Sequence, residues 1–153
     1  MDCRESRTMK PSTLLARLIA VVVLTLLVPF SARAQEKIDV ETAQALAKTG
    51  DVLLLDIRTP REWKQTGVSP LATTLNMRES SFGSDLMSLI ENDRDRPIAL
   101  ICASGGRSGY LAQVMAEAGF SKVYDVSEGM MGSNAGPGWI GTGLPVVAFD
   151  PNR

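Results

Sequence analysis

The chain of 153 residues contains no histidine. That absence excludes Ser-His-Asp and Cys-His catalysis, zinc bound through imidazole, and haem ligated by it. Cysteine is almost as scarce: Cys3 and Cys102 are too far apart for the Cys-x-x-Cys spacing of redox or zinc motifs. Neither sign of charge is in excess, with 16 Lys and Arg against 17 Asp and Glu, so the charge balance does not point to nucleic acid. The uncharged apolar stretch at 18–28 is eleven residues long, short of the roughly 20 that a transmembrane helix needs. What is present is a chain 44% hydrophobic, the composition of an ordinary globular protein, with the length of one domain.

The first 34 residues predict a secretory leader. Arg4, Arg7, Lys10 and Arg17 outweigh Asp2 and Glu5 ahead of or at the edge of the apolar stretch, and Pro29 follows it. Ala32-Arg33-Ala34 then places small residues where a signal peptidase cuts. The expected organisation is a signal peptide at 1–34 and one domain at 35–153. The domain would be exported, periplasmic by its bacterial-looking leader, and without a membrane span after cleavage; the alternative is an uncleaved N-terminal anchor. Cleavage removes Cys3 and leaves eleven Lys and Arg against fifteen Asp and Glu. Cys102 is then a lone thiol in a compartment that favours disulfides, so it has to be either buried or used.

Along 35–153, helix-like and strand-like segments alternate. Helical spacing over 40–48 ends at Gly50, and the short apolar run 52–55 reads as a strand covered on both faces. Thr59, Pro60 and Glu62 predict a helix start with N-cap, N1 proline and capping box, soon interrupted by Gly67 and Pro70. A further strand is expected at 72–75, a helix at 84–91 with Leu86, Leu89 and Ile90 inward, and a second buried strand at 98–101. A helix at 108–118 ended by Gly119, a strand at 122–126 and a loop at 129–143 with six glycines complete the chain. This alternation predicts an α/β fold with a parallel sheet and helices on both faces. In such sheets the functional crevice lies beyond the carboxyl ends of the strands. Two segments fall there: Asp56-Ile57-Arg58, and Cys102-Ala103-Ser104-Gly105-Gly106-Arg107-Ser108.

The second segment carries the chemistry. A cysteine directly after a strand, on a glycine-containing loop that runs into a helix, is placed to be a thiolate. The loop N–H groups can form an anion nest, the helix N-terminus adds partial positive charge, and Arg107 adds a full one. Gly105 and Gly106 allow the backbone to curl with positive φ. Asp56 and Arg58 are expected chiefly to tie neighbouring loops by ion pairing, with a substrate contact for Arg58 second. Trp63, Phe120 and Tyr124 read as core, Met130 and Met131 as packing rather than soft metal ligands, and 91–96 as a solvated turn.

Cys-x-x-Gly-x-Arg-Ser preceded by Pro-Ile-Ala-Leu-Ile resembles the active-site loop of a single-domain rhodanese. Asp56-Ile57-Arg58-Thr59-Pro60-Arg61-Glu62-Trp63, Gly119-Phe120, residues 124–130 and Gly143-Leu144-Pro145-Val146 resemble other segments of that family. The resemblance implies a three-layer rhodanese fold with a central five-stranded parallel sheet, and a sulfurtransferase. Cys102 would take sulfane sulfur from thiosulfate or a similar donor as a persulfide and pass it to a thiol or cyanide. The loop N–H groups of Ala103, Ser104, Gly105, Gly106, Arg107 and Ser108 would stabilise the persulfide, and Arg107 the anionic donor, with no metal or organic cofactor. Four residues separate Cys102 from Arg107, whereas cysteine phosphatases of similar fold have a wider Cys-x5-Arg loop.

Three departures from the family's pattern stand out. Gly67-Val68-Ser69-Pro70-Leu71-Ala72 replaces a Gly-His-Ile-x-Gly-Ala segment, Ala103 stands where a second cation is common, and 132–139 is longer than the usual turn. Trp139 in that turn is placed equally well as a rim over the pocket or within a surface loop. The first two departures support a second reading, a weakly catalytic or non-catalytic rhodanese module that binds a sulfur-carrier or redox partner protein.

Overall fold

The computed structural model describes residues 36–151, so the expected leader at 1–34 lies outside the described residues. In chain order the elements are β1 (Glu36–Ile38), α1 (Val40–Thr49), β2 (Leu53–Asp56), α2 (Pro60–Thr66) and β3 (Thr73–Thr74), then α3 (Phe82–Leu89), β4 (Ile98–Ile101), α4 (Gly106–Glu117), β5 (Val123–Val126) and α5 (Gly138–Gly141). The five strands form one sheet in the order β1-β5-β4-β2-β3, and every pairing is parallel. Among the described residues, no helix is long and apolar enough to cross a membrane.

Local signals in the chain account for most of these elements. Asp39 caps α1 by accepting from the Thr42 N–H at 2.7 Å, and Gly50 ends it in the left-handed region at φ 81°. Thr59 and Glu62 close the expected capping box on α2. The central strand β4 is buried at all four residues, as its continuous apolar run requires. β1, by contrast, has the polar, largely exposed pattern Glu-Lys-Ile, and only its pairing with β5 makes it a strand. The 129–143 segment is not all loop, because Gly138 turns the chain at φ 78° into the short α5.

Each face of the sheet has its own core. Leu55, Leu100, Cys102, Leu111, Met115 and Phe120 pack with α3 and α4 on one side. Val40, Ala43, Leu54, Ile101, Met130 and Trp139 pack with α1 and α5 on the other. Trp139 is fully buried and donates its indole N–H to the Pro145 carbonyl at 3.0 Å. It is therefore core on the face away from Cys102 and does not rim the site. Met130 is buried as expected, but Met131 is 56% exposed and does not pack. The reworked segment 67–72 holds the end of the chain: Val68 and Val147 exchange two backbone hydrogen bonds at 2.9 Å.

At the carboxyl end of β2, Asp56 and Arg58 are buried together. The Arg58 guanidinium donates to Asp56 through Nε at 2.9 and 3.1 Å and through Nη2 at 2.7 Å. Its remaining contacts are Thr66 Oγ1 at 2.6 Å and the Gly67 carbonyl at 2.8 Å, and Trp63 Nε1 donates to Asp56 at 3.1 Å. Arg58 is thus satisfied inside the protein, where it ties β2 to the end of α2. Removing one partner of a buried pair leaves the other charge uncompensated. Arg58→Ala is expected to lose about 3–5 kcal/mol of unfolding free energy in urea; a loss below about 1 kcal/mol, the scale of an exposed pair, would show that the network is not holding this edge together.

Candidate active site

Cys102 follows β4 directly, and its side chain lies in the core of the α4 face, only 1% exposed. The loop after it is held from the neighbouring strand's side. Met130 N–H donates to the Cys102 carbonyl at 2.8 Å and Met131 N–H to the Ala103 carbonyl at 2.9 Å. This clasp brings two backbones so close that only glycine fits. A Cβ on Gly105, at φ 83°, would meet the Ser127 carbonyl oxygen at 2.1 Å, and one on Gly129, at φ 71°, would meet the Ala103 carbonyl oxygen at 2.5 Å. Gly106 differs from expectation: its φ is not positive, it opens α4, and a Cβ there would meet nothing within 4 Å.

Among the described residues, no hydrogen bond engages the N–H groups of Ala103, Ser104, Gly105, Gly106, Arg107 or Ser108. The last three are first-turn amides of α4, which a helix cannot satisfy internally. Ser108 is fully buried, and its Oγ lies 3.5 Å from Cys102 Sγ and 3.1 Å from the Gly105 carbonyl. The sulfur thus has a hydroxyl donor beside it, and the loop that follows it carries a row of unengaged amides, features suited to stabilising a sulfur anion. No cluster of three or more acidic, cysteine or histidine side chains able to hold a metal occurs among the described residues.

Arg107 does not stand free at the loop mouth. Both its terminal nitrogens donate to the Glu62 carboxylate, Nη1 to Oε2 at 3.0 Å and Nη2 to Oε1. The same carboxylate accepts from Thr59 N–H at 2.9 Å and Thr59 Oγ1 at 2.7 Å in the capping box of α2. Glu62 therefore joins the start of α2 to the start of α4, a role its local pattern does not reveal because its partner is 45 residues away. The Arg107 hydrogen bond above all, and then Thr59, hold the Glu62 carboxyl down at about 2, against desolvation that raises it.

Two further buried acids escaped the sequence pattern. Glu128 accepts from Gly138 N–H at 2.9 Å and Val40 N–H at 3.4 Å, tying the 129–143 segment to the start of α1. Asp125, on β5, is 2% exposed. Burial pushes its carboxyl above the usual carboxylate range, while Ser108 and Lys37 act in the opposite direction. The available signal was a lone acid inside the strand Val-Tyr-Asp-Val.

A carboxyl whose folded value lies below its unfolded one stabilises the fold above the unfolded value and loses that contribution as pH falls through the folded one. The wild type is expected to lose the Glu62 contribution between about 4.5 and about 2. Glu62→Gln should therefore be less stable than the wild type above that window, and the gap should close within it. Urea midpoints measured across the acid range check this; an unchanging gap would mean that the Glu62 charge is not what binds Arg107.

Comparison with protein families matches residues 39–135 to the rhodanese-like domain. A sulfurtransferase of Allochromatium vinosum is 38% identical over 113 residues, which cover 73% of this chain and 94% of that protein. The thiosulfate sulfurtransferase GlpE of Vibrio cholerae is 29% identical over 111 residues, covering 72% and 93%. Among solved structures, the polysulfide-sulfur transferase homodimer of Wolinella succinogenes matches with a TM-score of 0.60 at 20% identity, covering 92% of this chain and 94% of that one. That likeness is one of fold, and it agrees with the five-stranded parallel sheet between helices. With most of the domain matched and the cysteine loop at the carboxyl edge of its sheet, the chain belongs to the rhodanese-like family.

Proposed function

We propose that this protein is an exported sulfurtransferase that carries sulfane sulfur on Cys102. The observation that supports this most is the setting of the Cys102 sulfur: buried at the end of β4, with Ser108 Oγ at 3.5 Å and unengaged amides on each of the six loop residues that follow it. The Cys102 thiolate attacks the outer sulfur of a donor such as thiosulfate. The new S–S bond forms on Cys102, the donor's S–S bond breaks, and sulfite leaves with the bonding pair. A thiophilic acceptor, cyanide or a thiolate, then takes the outer sulfur and returns the thiolate. No electrons enter or leave overall, and the two half-reactions give ping-pong kinetics. The loop amides and the α4 N-terminus hold the persulfide anion.

One observation favours the second reading, a module that receives sulfur poorly from small donors and instead docks a sulfur-carrier or redox protein. Arg107 is committed to Glu62, and position 103 is alanine, so the loop offers no unpaired cation to a doubly charged donor.

Intact mass of the protein recovered from a cell-envelope fraction, before and after thiosulfate, tests both. The enzyme reading expects a chain beginning at Gln35 that gains one sulfur atom, loses it to cyanide, and gains none in Cys102→Ala. No adduct from thiosulfate, with an adduct from a persulfide-bearing protein, is the result expected of the docking module. Retention of Met1 would overturn cleavage after Ala34.

A further inference from the structure

Two glycines stand side by side in the Cys102 loop, and the fold requires only one of them. Gly105 has φ 83° and no room for a Cβ, whereas Gly106 has neither constraint. Gly106 is the first residue of α4, and a Cβ there would meet nothing within 4 Å. Where another residue can adopt the same backbone conformation, glycine costs stability, because its unfolded chain has more freedom to lose. Packing therefore gives no reason for glycine at 106.

Its position in the loop supplies one. From Cys102 to Ser108, only Ser104 and Gly106 are exposed, and the two end residues are buried. A molecule arriving from solvent therefore meets the loop at those two residues. Cα–Cβ bonds in a helix tilt towards its N-terminus, so a side chain at 106 would lie over the residues before it, which are the loop itself. Tyr110, one turn further along α4 and 66% exposed, leaves that space free. None of its side-chain atoms would lie within 4 Å of a Cβ at 106.

Size matters most in the second half-reaction. Cyanide brings only a carbon and a nitrogen atom to the outer sulfur of the persulfide, whereas an organic thiolate brings a carbon chain with it. The thiolate attacks that sulfur and a new S–S bond forms on the incoming molecule. The bond to Cys102 breaks, and its electron pair restores the Cys102 thiolate. Cys102 is only 1% exposed, so the incoming chain has to pass over the loop. The space at 106 is where no side chain obstructs it.

We propose that Gly106 is a specificity-determining residue of the Cys102 site: by carrying no side chain, it keeps the loop open to organic thiols larger than cyanide. The proposal rests on Cys102 being the group that transfers sulfur, and it adds the feature that selects the acceptor by size.

Two measurements on the full chain test it. The first needs no sulfur transfer: the rate of Cys102 alkylation by a small reagent, iodoacetamide, and by a large one, fluorescein maleimide, with Cys102→Ala as the blank. The second is single-turnover discharge of the persulfide to cyanide and to glutathione, followed by intact mass. Gly106→Leu should lower the large-to-small ratio of both rates by about tenfold or more, the scale on which a site discriminates by one methylene group. Gly106→Ala should lower the ratios less and should melt above the wild type, so its loss of selectivity is not damage to the fold. If leucine is not accommodated, the alanine variant carries the comparison alone. Wild-type ratios in the variants, or a wild-type Cys102 that neither reagent reaches, would overturn the proposal. So would an alanine variant that melts lower, because the fold itself would then require glycine at 106. Equal slowing of large and small partners would mean that the substitution disturbs the sulfur rather than the way to it. Alkylation as expected, with a wild type that takes up no sulfur atom from any donor, would count against the sulfurtransferase reading and leave Gly106 as the size filter before a reactive cysteine.

Discussion

A guanidinium and a carboxylate buried side by side at the end of β2 set the terms for the rest of this edge of the protein. Arg58 has to find acceptors without water, and it finds them in Asp56, Thr66 and Gly67. Those acceptors lie at the end of β2 and at the carboxyl end of α2, so satisfying one side chain fixes the helix against the sheet. Trp63, in the middle of α2, adds its indole N–H to the same carboxylate and packs against Phe149 with ring centroids 5.0 Å apart. Held in this way, α2 presents Glu62 to Arg107, and the first turn of α4 is located by a residue far from it in sequence. The order of dependence runs from buried charge to helix to loop.

The loop itself depends on a second constraint, backbone against backbone. Two hydrogen bonds, from the N–H groups of residues 130 and 131, occupy the carbonyls of 102 and 103. Gly105 and Gly129 permit the approach because any side chain there would collide with a carbonyl oxygen. The amides of the loop are left without partners inside the protein. Glu128 anchors the far end of the same turn to α1, so the loop is braced by elements from both faces of the sheet. A site built in this way is preorganised, which is what stabilising a developing anion demands. With its one guanidinium committed to Glu62, the loop presents backbone dipoles and hydrogen-bond donors rather than a free cation.

Most of this architecture is legible in the chain because it is encoded locally. Continuous apolar runs mark β2 and β4, Thr59-Pro60-Arg61-Glu62 encodes the start of α2, and Gly50 the end of α1. The motif around Cys102 is contiguous, so the candidate nucleophile and its loop can be found without coordinates. β1 is missed because an edge strand of three residues, Glu-Lys-Ile, carries no apolar period of its own. Trp139 is ambiguous for a related reason: a glycine-rich stretch shows no periodicity to say which way an indole turns.

By itself, then, the sequence determined the alternation of strand and helix, the parallel α/β class, and the identity of the one cysteine in the domain with its loop. Each of these rests on neighbours within a few residues, where spacing and capping chemistry decide the outcome. Only the tertiary structure decided that Arg107 is paired with Glu62, that Gly105 rather than Gly106 takes the positive φ, that Trp139 fills the opposite core, and that Asp125 is buried on β5. Those outcomes depend on which surfaces meet when the sheet closes, and on where a buried charge or orphaned hydrogen-bonding group finds its partner.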